Sequence, residues 1–273
     1  MTVIDKFSCK GRTALVTGGA GLLGKQFTRA LGEAGAAVVV ADLDEKAAQA
    51  HVKTLRESNL QALSVSVDVT DPDSVKSMVE TAVVEFGSLD ILVNSAALDP
   101  KFDPENLQEQ SGNAFENYPL ESWKKAIDVN ITGMFLACQA AARQMDKQNR
   151  GVIINICSTY GLVGPDQRLY ERPDGARQYK PVYYSVSKAS VLGLTRYLAT
   201  YYAGRPIRVN ALTPGGVYNQ HDEVFLKGYS SRTVMGRMAE PDELNGAIVF
   251  LASDASSYMT GANLIVDGGW TVW

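Results

Sequence analysis

The sequence of 273 residues predicts an α/β fold, in which one doubly wound parallel sheet of about seven strands carries helices on both faces. Short apolar runs and longer amphipathic stretches alternate about seven times, which is the pattern of strand–helix–strand units. A glycine-rich turn stands between the first run and the first amphipathic stretch. No linker, repeat or low-complexity tract interrupts the alternation. Residues 1–273 are therefore predicted to form a single domain.

The first half of the chain supplies four strands and three helices in alternation. Apolar residues at helical spacing follow the first strand and stop at Gly35, which can cap a helix at its C-terminus. Asp71 can cap the N-terminus of the third helix, and Pro72 suits its first position. The predicted strands are residues 13–17, 37–41, 63–67 and 89–93, and the predicted helices are 23–34, 44–58 and 72–86.

The second half continues the alternation but contains two irregular segments. We predict a helix at 122–147, a strand at 152–156, a helix around Tyr184, a strand at 207–211, helical residues 240–253 and a last strand at 262–266. Residues 98–120 and 161–181 are polar and proline-bearing, and unstructured connections of about 20 residues are uncommon in compact domains and often functional. Both follow strands whose carboxyl ends face the ligand crevice of such sheets, so both are expected near the substrate site.

Composition and charge exclude several classes of protein. The net charge is −4, and no lysine or arginine cluster suggests nucleic acid as a partner. The apolar runs are too short to span a bilayer, and the N-terminus has no apolar segment of signal-peptide type. Three cysteines at irregular spacing predict neither a disulfide framework nor a metal site. We expect a soluble cytoplasmic protein that binds no membrane and no metal.

The glycine-rich turn predicts a nucleotide site. Gly19, Gly21 and Gly24 match G-x-G-x-x-G, and Gly18 extends the pattern. The turn follows a predicted strand and opens a predicted helix, whose free N–H groups can bind a pyrophosphate. The alternative interpretation is a tight structural turn.

Asp42, 18 residues after Gly24, ends the second strand. A carboxylate there can accept hydrogen bonds from both ribose hydroxyls of NAD and would repel the 2′-phosphate of NADP. The alternative is a cap for the next helix, but Asp44 is available for that role. We therefore predict NAD as the cofactor. Asp68, after the third strand, is a candidate for the adenine amino group, although a turn residue is nearly as good an interpretation.

Tyr184 and Lys188 predict the catalytic chemistry. Residues at i and i+4 project side by side from one face of a helix. A nearby ammonium stabilises a phenolate, so Lys188 is expected to lower the pKa of Tyr184 from about 10. A tyrosine of this kind can exchange a proton near neutral pH. With the nucleotide site, the pair predicts hydride transfer at a carbonyl or hydroxyl carbon.

Six motifs in order make the chain similar to the short-chain dehydrogenase/reductase family, whose members have a Rossmann-type fold. These motifs come after the glycine turn and are Asn94-Ser-Ala-Ala97, Asn130 in Asp128-Val-Asn-Ile-Thr-Gly133, Ser158, the Tyr184/Lys188 pair, Pro214-Gly215, and Val266-Asp-Gly-Gly269. The resemblance implies Asn130, Ser158, Tyr184 and Lys188 as catalytic residues. It also implies contacts to the cofactor from Gly18, Gly21, Leu22, Leu23, Gly24, Asp42, Leu43, Asp68, Val69, Asn94, Ala96, Tyr184, Lys188, Pro214, Gly215 and Val217.

The chain departs from the family pattern in ways that bear on the substrate. Leu22 stands where the glycine turn usually has another glycine, and no threonine follows Pro214-Gly215. Ser158 and Tyr184 are 26 positions apart, about twice the common separation, so an extended loop precedes the catalytic tyrosine. That loop carries Arg168, Arg172, Arg177 and Lys180. Guanidinium groups bind carboxylate and phosphate bidentately, which suggests an anionic or polyhydroxylated substrate.

The alternative for these charges is a solvated loop or a subunit contact. Residues 225–238 are expected to cover the substrate, and the substrate-binding candidates are Ser158, Tyr160, Arg168, Arg172, Tyr218 and His221, with Trp270 nearby.

The predicted function is NAD-dependent interconversion of a secondary alcohol and a ketone, or of a sugar hemiacetal and a lactone, on a sugar or sugar-derived substrate. One alternative is a 3-oxoacyl-type ketoreductase. An alternative of another class is a catalytically silent dinucleotide-binding regulator, but such proteins usually lose part of the catalytic set, which is intact here. Two histidines outside any Ser/His/Asp arrangement make a hydrolase a poor interpretation. The resemblance also implies a homotetramer or homodimer.

Overall fold

The protein is built around a seven-stranded sheet in the order β3-β2-β1-β4-β5-β6-β7, in which every pair of neighbouring strands is parallel. The structure is a computed structural model that describes residues 2–99, 113–171 and 178–273. The strands are β1 (Thr13–Thr17), β2 (Ala37–Asp42), β3 (Ala62–Ser66), β4 (Ile91–Asn94), β5 (Gly151–Ile156), β6 (Ile207–Pro214) and β7 (Asn263–Val266). The predicted fold class is confirmed, and each predicted strand lies within three residues of its observed bounds.

The helices of the described residues follow the strands as predicted, except that Glu223–Ser230 is a helix the sequence does not predict. They are α1 (Leu22–Glu33), α2 (Glu45–Glu57), α3 (Pro72–Phe86), α4 (Leu120–Ile127), α5 (Met134–Lys147), α6 (Val182–Tyr201), α7 (Glu223–Ser230) and α8 (Asn245–Ala252). Asp44 caps α2 by accepting a hydrogen bond from the N–H of Ala47 at 2.9 Å. Asp71 caps α3 through the N–H of Asp73, with Pro72 in the first turn. These caps place the helix starts where the sequence predicts them.

The predicted helix at 122–147 is not one regular α-helix. A six-residue π-helical turn, Asp128–Gly133, joins α4 to α5. Such turns insert extra backbone into a helix and are often found at functional sites. Here the turn places Asn130 against the loop that follows β4, as described below.

Both faces of the sheet are covered by apolar side chains. On one face, Leu15 of β1 and Ile153 of β5 pack in a cluster with Met78 of α3 and Met145 of α5. On the other face, Val16 of β1 packs in a second cluster, which contains Phe27 and Leu31 of α1, Leu55 of α2 and Ile248 of α8. Adjacent residues of β1 thus enter opposite clusters, as side-chain alternation along a strand requires. The strand ends are therefore held rigidly by a core on each side.

Across the described parts of the chain, no helix combines the length and apolar character needed to cross a lipid bilayer.

Candidate active site

The candidate site lies at the carboxyl ends of β1, β4, β5 and β6. In a parallel sheet these ends share one edge, and loops leaving it form the ligand crevice. The glycine turn leaves β1, Asn94 ends β4, Ser158 follows β5, and Pro214 ends β6. The topology thus brings together four of the motifs that the sequence singles out.

The glycine turn forms a close-fitting backbone cradle. Gly18 has φ +63°, and a Cβ atom there would lie 2.8 Å from Cα of Ala96. A Cβ atom on Gly24 would overlap the carbonyl oxygen of Gly18. Gly21 precedes α1 without any side-chain cap, so Leu22, Leu23 and Gly24 begin the helix with no side chain competing for its N-terminus. This backbone fits the diphosphate of a dinucleotide, which needs close approach and free N–H groups.

Asp42 occupies the end of β2 beside this turn. Its Oδ2 accepts a hydrogen bond from the N–H of Ala20 at 2.9 Å, and its Oδ1 accepts one from the N–H of Asp44 at 3.1 Å. The two bonds fix the carboxylate against the turn. Leu43 follows with its side chain 71% exposed, an apolar surface beside the carboxylate. The pair fits the ribose and adenine end of a dinucleotide.

The loop after β3 favours the turn interpretation of Asp68. Its Oδ1 accepts hydrogen bonds from both the N–H and the hydroxyl of Thr70, at 2.9 and 2.7 Å. These bonds lower the pKa of the Asp68 carboxyl. Its other oxygen has no such bond among the described residues. Val69 is buried, and its side chain lies against Gly133 of the π-helical turn. A Cβ atom at position 133 would lie 2.7 Å from Cγ2 of Val69, so only glycine fits there.

Asn94 ends β4 with its side chain buried. Its Nδ2 donates to Oδ1 of Asn155 at 2.8 Å, whereas its Oδ1 has no hydrogen-bond partner in the described structure. Buried polar atoms are nearly always satisfied, so this oxygen indicates a missing donor. It lines a small cavity together with Thr17, Ala96, Asn130, Ile156 and Lys188. A water molecule or a hydroxyl of the cofactor ribose would satisfy it.

Ser158 and Tyr184 meet at the centre of the site. Ser158 caps the turn Thr159–Gly161, where its Oγ accepts a hydrogen bond from the N–H of Tyr160 at 3.2 Å. Ser158 also acts on the buried Tyr184 side chain, whose pKa it lowers against the larger, opposite effect of burial. The residues are 26 positions apart in sequence, yet both belong to this site. One site therefore contains two hydroxyls that can both reach a substrate oxygen.

The predicted lowering of the Tyr184 pKa is wrong for this structure. Burial raises the pKa of Tyr184 well above its ordinary value, and the negative charge of Asp99 adds to the increase. Burial likewise lowers the pKa of Lys188. The Lys188 Nζ lies 5.8 Å from the centroid of the Tyr184 ring and donates to the carbonyl of Ile156 at 3.0 Å. The spacing predicts the juxtaposition correctly, but desolvation dominates the pKa.

Asn130 is locked to the loop after β4. Its Oδ1 accepts from the N–H of Leu98 at 2.7 Å, and its Nδ2 donates to the carbonyl of Leu98 and to Oγ of Ser187, both at 3.1 Å. The side chain thus ties the π-helical turn to α6, on which Tyr184 and Lys188 lie. Asn130 therefore helps to position these two catalytic residues. It also lines a small cavity that Lys188 lines as well.

The segment after β6 closes the site from another side. The N–H of Gly215 donates to the carbonyl of Val266 at 2.9 Å, and a Cβ atom on Gly215 would lie 2.8 Å from Cα of Asp267. Val217 forms an isolated parallel bridge with Ala239. These contacts hold residues 214–217 beside the end of β7, which is where a lid over nicotinamide is expected.

The extended loop does not present Arg168 to the site as a free cation. The guanidinium makes two hydrogen bonds of 2.8 Å to Asp166 and its side chain is 75% exposed. Arg232 contacts the same carboxylate at 2.5 Å. Two cations thus share one anion, and Asp166 ties the loop to the residues after α7. Arg172 and Arg177 lie outside the described residues.

Aromatic side chains form the wall of the site. Tyr160 meets the ring of Tyr184 edge-on at 6.5 Å and that of Trp270 at 6.4 Å. Trp270 stacks on Tyr229 at 4.2 Å. His221 stacks on Phe225 at 5.0 Å, and Tyr218 lies 6.4 Å from His221. Burial lowers the pKa of His221, so the wall favours its neutral form.

Three residues of this site are not singled out by the sequence. Tyr229 and Tyr170 are buried in the same aromatic cluster as Tyr184, and Asp99 pairs with Lys180 over the Tyr184 ring. The aromatic residues of the amphipathic helix α7 are a sequence signal that could have identified Tyr229. Asp99 stands before a proline, where an aspartate normally indicates a turn, so no sequence signal distinguishes it. Within the three described ranges, no group of three or more His, Cys, Asp or Glu side chains could hold a metal ion.

Comparison with known proteins identifies relatives over nearly the whole chain. The chain is 38% identical over 269 residues to cis-4-hydroxycyclohexanecarboxylate dehydrogenase of Sinomonas cyclohexanicum, covering 95% of this chain and 96% of the relative. It is 32% identical to D-threitol dehydrogenase of Mycolicibacterium smegmatis, covering 100% and 97%. A gluconate 5-dehydrogenase from Burkholderia cenocepacia, solved with NADP and tartrate, superimposes with a TM-score of 0.85 at 31% identity and covers 100% of both chains.

A family model described as enoyl-(acyl carrier protein) reductase matches residues 19–271. The match begins inside the glycine turn and ends beyond β7, so it spans the elements of the site that follow β1 and Gly18. Together with the relatives and the parallel sheet, it confirms the predicted family: the protein belongs to the short-chain dehydrogenase/reductases, oxidoreductases that act on CH–OH groups with a nicotinamide dinucleotide.

Proposed function

We propose that the protein interconverts a secondary alcohol and a ketone on a small polar skeleton, such as a sugar, a sugar acid or a ring alcohol, with NAD as cofactor. The observation that carries the proposal is the position of Tyr184, which is buried in an aromatic cluster with Lys188 Nζ 5.8 Å from its ring centroid and with Ser158 acting on its pKa. The relatives whose names specify a hydroxycyclohexanecarboxylate, threitol and gluconate support this class of substrate.

The protein residues divide the work of the reaction among them. When bound, the nicotinamide supplies the hydride acceptor or donor. Ser158 donates a hydrogen bond to the substrate oxygen and stabilises the negative charge that develops on it. Tyr184 takes the proton from the alcohol during oxidation and returns it during reduction. Lys188 lies beside the Tyr184 ring, next to the cavity that Asn130 borders, and supports the proton path to water.

The test is a screen of purified protein for NADH formation by near-UV absorbance. The panel contains cyclohexanols and their carboxylates, tetritols, aldonic acids and hydroxyacyl thioesters. We expect turnover of ring alcohols, polyols or sugar acids. Turnover restricted to the thioesters would replace this proposal with the acyl ketoreductase alternative. Binding of NADH without turnover of any alcohol would favour a silent dinucleotide-binding protein.

Cofactor choice is expected to depend on Asp42. Two unit charges 4 Å apart interact by about 4 kcal/mol near a protein surface, so a fixed carboxylate disfavours a 2′-phosphate strongly. We expect kcat/KM with NAD to exceed that with NADP by about 100-fold, which corresponds to about 2.7 kcal/mol. In Asp42→Asn, which keeps an acceptor for the N–H of Ala20, this ratio should fall at least about tenfold because the charge is removed.

Asp44→Ala is the matched control for this measurement. It removes the cap of α2 and is expected to lower the free energy of unfolding by about 1 kcal/mol without changing the NAD to NADP ratio. An unchanged ratio in Asp42→Asn would contradict the assigned role of Asp42.

The raised pKa of Tyr184 predicts the pH dependence of the reaction. Oxidation needs the deprotonated phenol as base, and its fraction grows as pH rises towards the pKa. Since burial shifts that pKa upward, kcat/KM for alcohol oxidation should still be rising at about pH 9, close to the unperturbed tyrosine value of about 10. Ketone reduction, which needs the protonated phenol, is the internal control and should not rise over the same range. An oxidation profile that is already level at about pH 7 would instead support a lowered pKa.

The homotetramer or homodimer stays a proposal. Exposed apolar side chains on the outer surface support it, namely Phe135, Val186, Tyr197, Tyr201 and Ile265. Large apolar side chains left exposed on a monomer are often covered at subunit interfaces.

A further inference from the structure

Lys180 is an enclosed cation that faces the catalytic tyrosine. Its Nζ lies 4.1 Å from the centroid of the Tyr184 ring, and its side chain is 13% exposed. The backbone N–H of Lys180 donates to Oε1 of Gln167 at 2.9 Å, so the extended loop itself holds the residue in place. A lysine so enclosed needs an anionic partner, because an unpaired charge is costly to bury.

The anionic partner of Lys180 is the side chain of Asp99, which can turn away from the ammonium. Nζ lies 2.5 Å from Oδ1 of Asp99, whose side chain is 54% exposed. Asp99 can therefore turn towards water at little cost, whereas Lys180 cannot. A competing carboxylate can replace Asp99, because it would keep the enclosed ammonium paired while Asp99 regains its contact with water. The other described cation at the ring, Lys188, donates to the carbonyl of Ile156 instead.

The cations elsewhere on the loop do not offer the same site. Arg168 and Arg232 share the carboxylate of Asp166, at the edge of the loop. Lys180 instead lies over the ring of Tyr184, whose hydroxyl is one of the two groups expected to hold the substrate oxygen. A small molecule with its alcohol at those hydroxyls would bring a group a few bonds away to the ammonium.

We propose that Lys180 binds the carboxylate of a small hydroxycarboxylate substrate and that Asp99 occupies this position until the substrate displaces it. The inference rests on the proposed function and narrows it to acids over neutral alcohols. The exchange replaces one carboxylate by another, so the buried ammonium stays paired throughout. Charge-assisted hydrogen bonds are about twice as strong as neutral ones, which gives the acid its advantage.

The test compares two unreactive ligands of the same shape, cyclohexanecarboxylate and cyclohexanecarboxamide. Each is titrated calorimetrically into the protein with saturating NAD. We expect the wild-type protein to bind the carboxylate about tenfold more tightly. Lys180→Gln should bind both ligands equally, and Lys180→Arg should retain the preference. Lys227→Gln, which removes an exposed lysine of α7, is the matched control and should leave the preference unchanged.

Asp99→Asn distinguishes a binding role from a structural one. Removing the competing carboxylate should raise the affinity for cyclohexanecarboxylate several-fold and leave that for the amide unchanged. If Lys180 only supported the tyrosine ring, Asp99→Asn would weaken both ligands or neither, and the proposal would be overturned. Equal binding of the two ligands by the wild-type protein, or an undiminished preference in Lys180→Gln, would also overturn it.

These outcomes separate the inference from the proposed function. Turnover of alcohols with NAD but without any preference for carboxylates would contradict the inference alone. Conversely, a carboxylate preference that depends on Lys180, in a protein that oxidises no alcohol, would support the site and contradict the proposed function.

Discussion

Tyr184→Phe is expected to lower kcat for alcohol oxidation by about 10³-fold, within the range of about 10²–10⁴ typical for a lost general acid or base. Phenylalanine keeps the ring and its edge-on contact with Tyr160 but has no hydroxyl to exchange the proton. Affinity for NADH should change by no more than about tenfold, because one hydrogen bond contributes about 0.5–1.5 kcal/mol. Stopped-flow or steady-state rates, with fluorescence titration of NADH, measure the two quantities separately.

Tyr183→Phe is the matched control. Tyr183 is the adjacent residue on α6 and is equally buried, but its ring packs against Tyr118, 6.1 Å away, on another side. The substitution removes one hydroxyl, and a single hydrogen bond contributes about 0.5–1.5 kcal/mol. We therefore expect kcat of Tyr183→Phe to change by less than about tenfold. A similar small loss in Tyr184→Phe would show that another group moves the proton.

Gly24→Ala is expected to have the second large effect, on dinucleotide affinity. The added Cβ would overlap the carbonyl oxygen of Gly18 and lie 2.7 Å from Cα of Gly19, and both are backbone atoms that cannot rotate away. The turn must open, which misplaces the backbone that contacts the diphosphate. We expect the Kd for NADH to rise about 100-fold, or about 2.7 kcal/mol, and the melting temperature to fall.

Gly246→Ala provides the comparison for this substitution. Gly246 lies in α8 with open space around the position of a Cβ atom. Alanine there should leave NADH affinity unchanged and alter the free energy of unfolding by no more than about 1 kcal/mol, in the stabilising direction. Unchanged affinity in Gly24→Ala would mean that the glycine turn is only a structural connection.

The sequence predicts the frame of the site because local signals and topology coincide there. The strand before Gly18, the caps at Asp44 and Asp71 and the order of the apolar runs each have a local cause, and parallel pairing then places the strand ends together. The π-helical turn at Asp128–Gly133 has no comparable local signal, since it follows from how Asn130 must reach Leu98.

The electrostatics of the site could not be predicted from spacing. Residues 184 and 188 do meet as their separation predicts, but the pKa of Tyr184 depends on burial by residues distant in sequence, Trp270 among them. The same holds for the loop cations. The sequence places Arg168 and Lys180 in the same loop, so it does not distinguish them. In the structure Arg168 pairs with its neighbour Asp166, whereas Lys180 lies over the Tyr184 ring.

The central claim is that this site moves a hydride between a carbinol carbon and the cofactor while Tyr184 moves the proton. The most direct test uses an alcohol substrate from the panel that carries deuterium on the carbinol carbon, with unlabelled NAD. We expect one deuterium per molecule of NADH formed, detected by mass spectrometry, and none from the solvent when the reaction is run in D₂O with unlabelled alcohol. NADH that contains solvent deuterium, or none from the labelled alcohol, would contradict it.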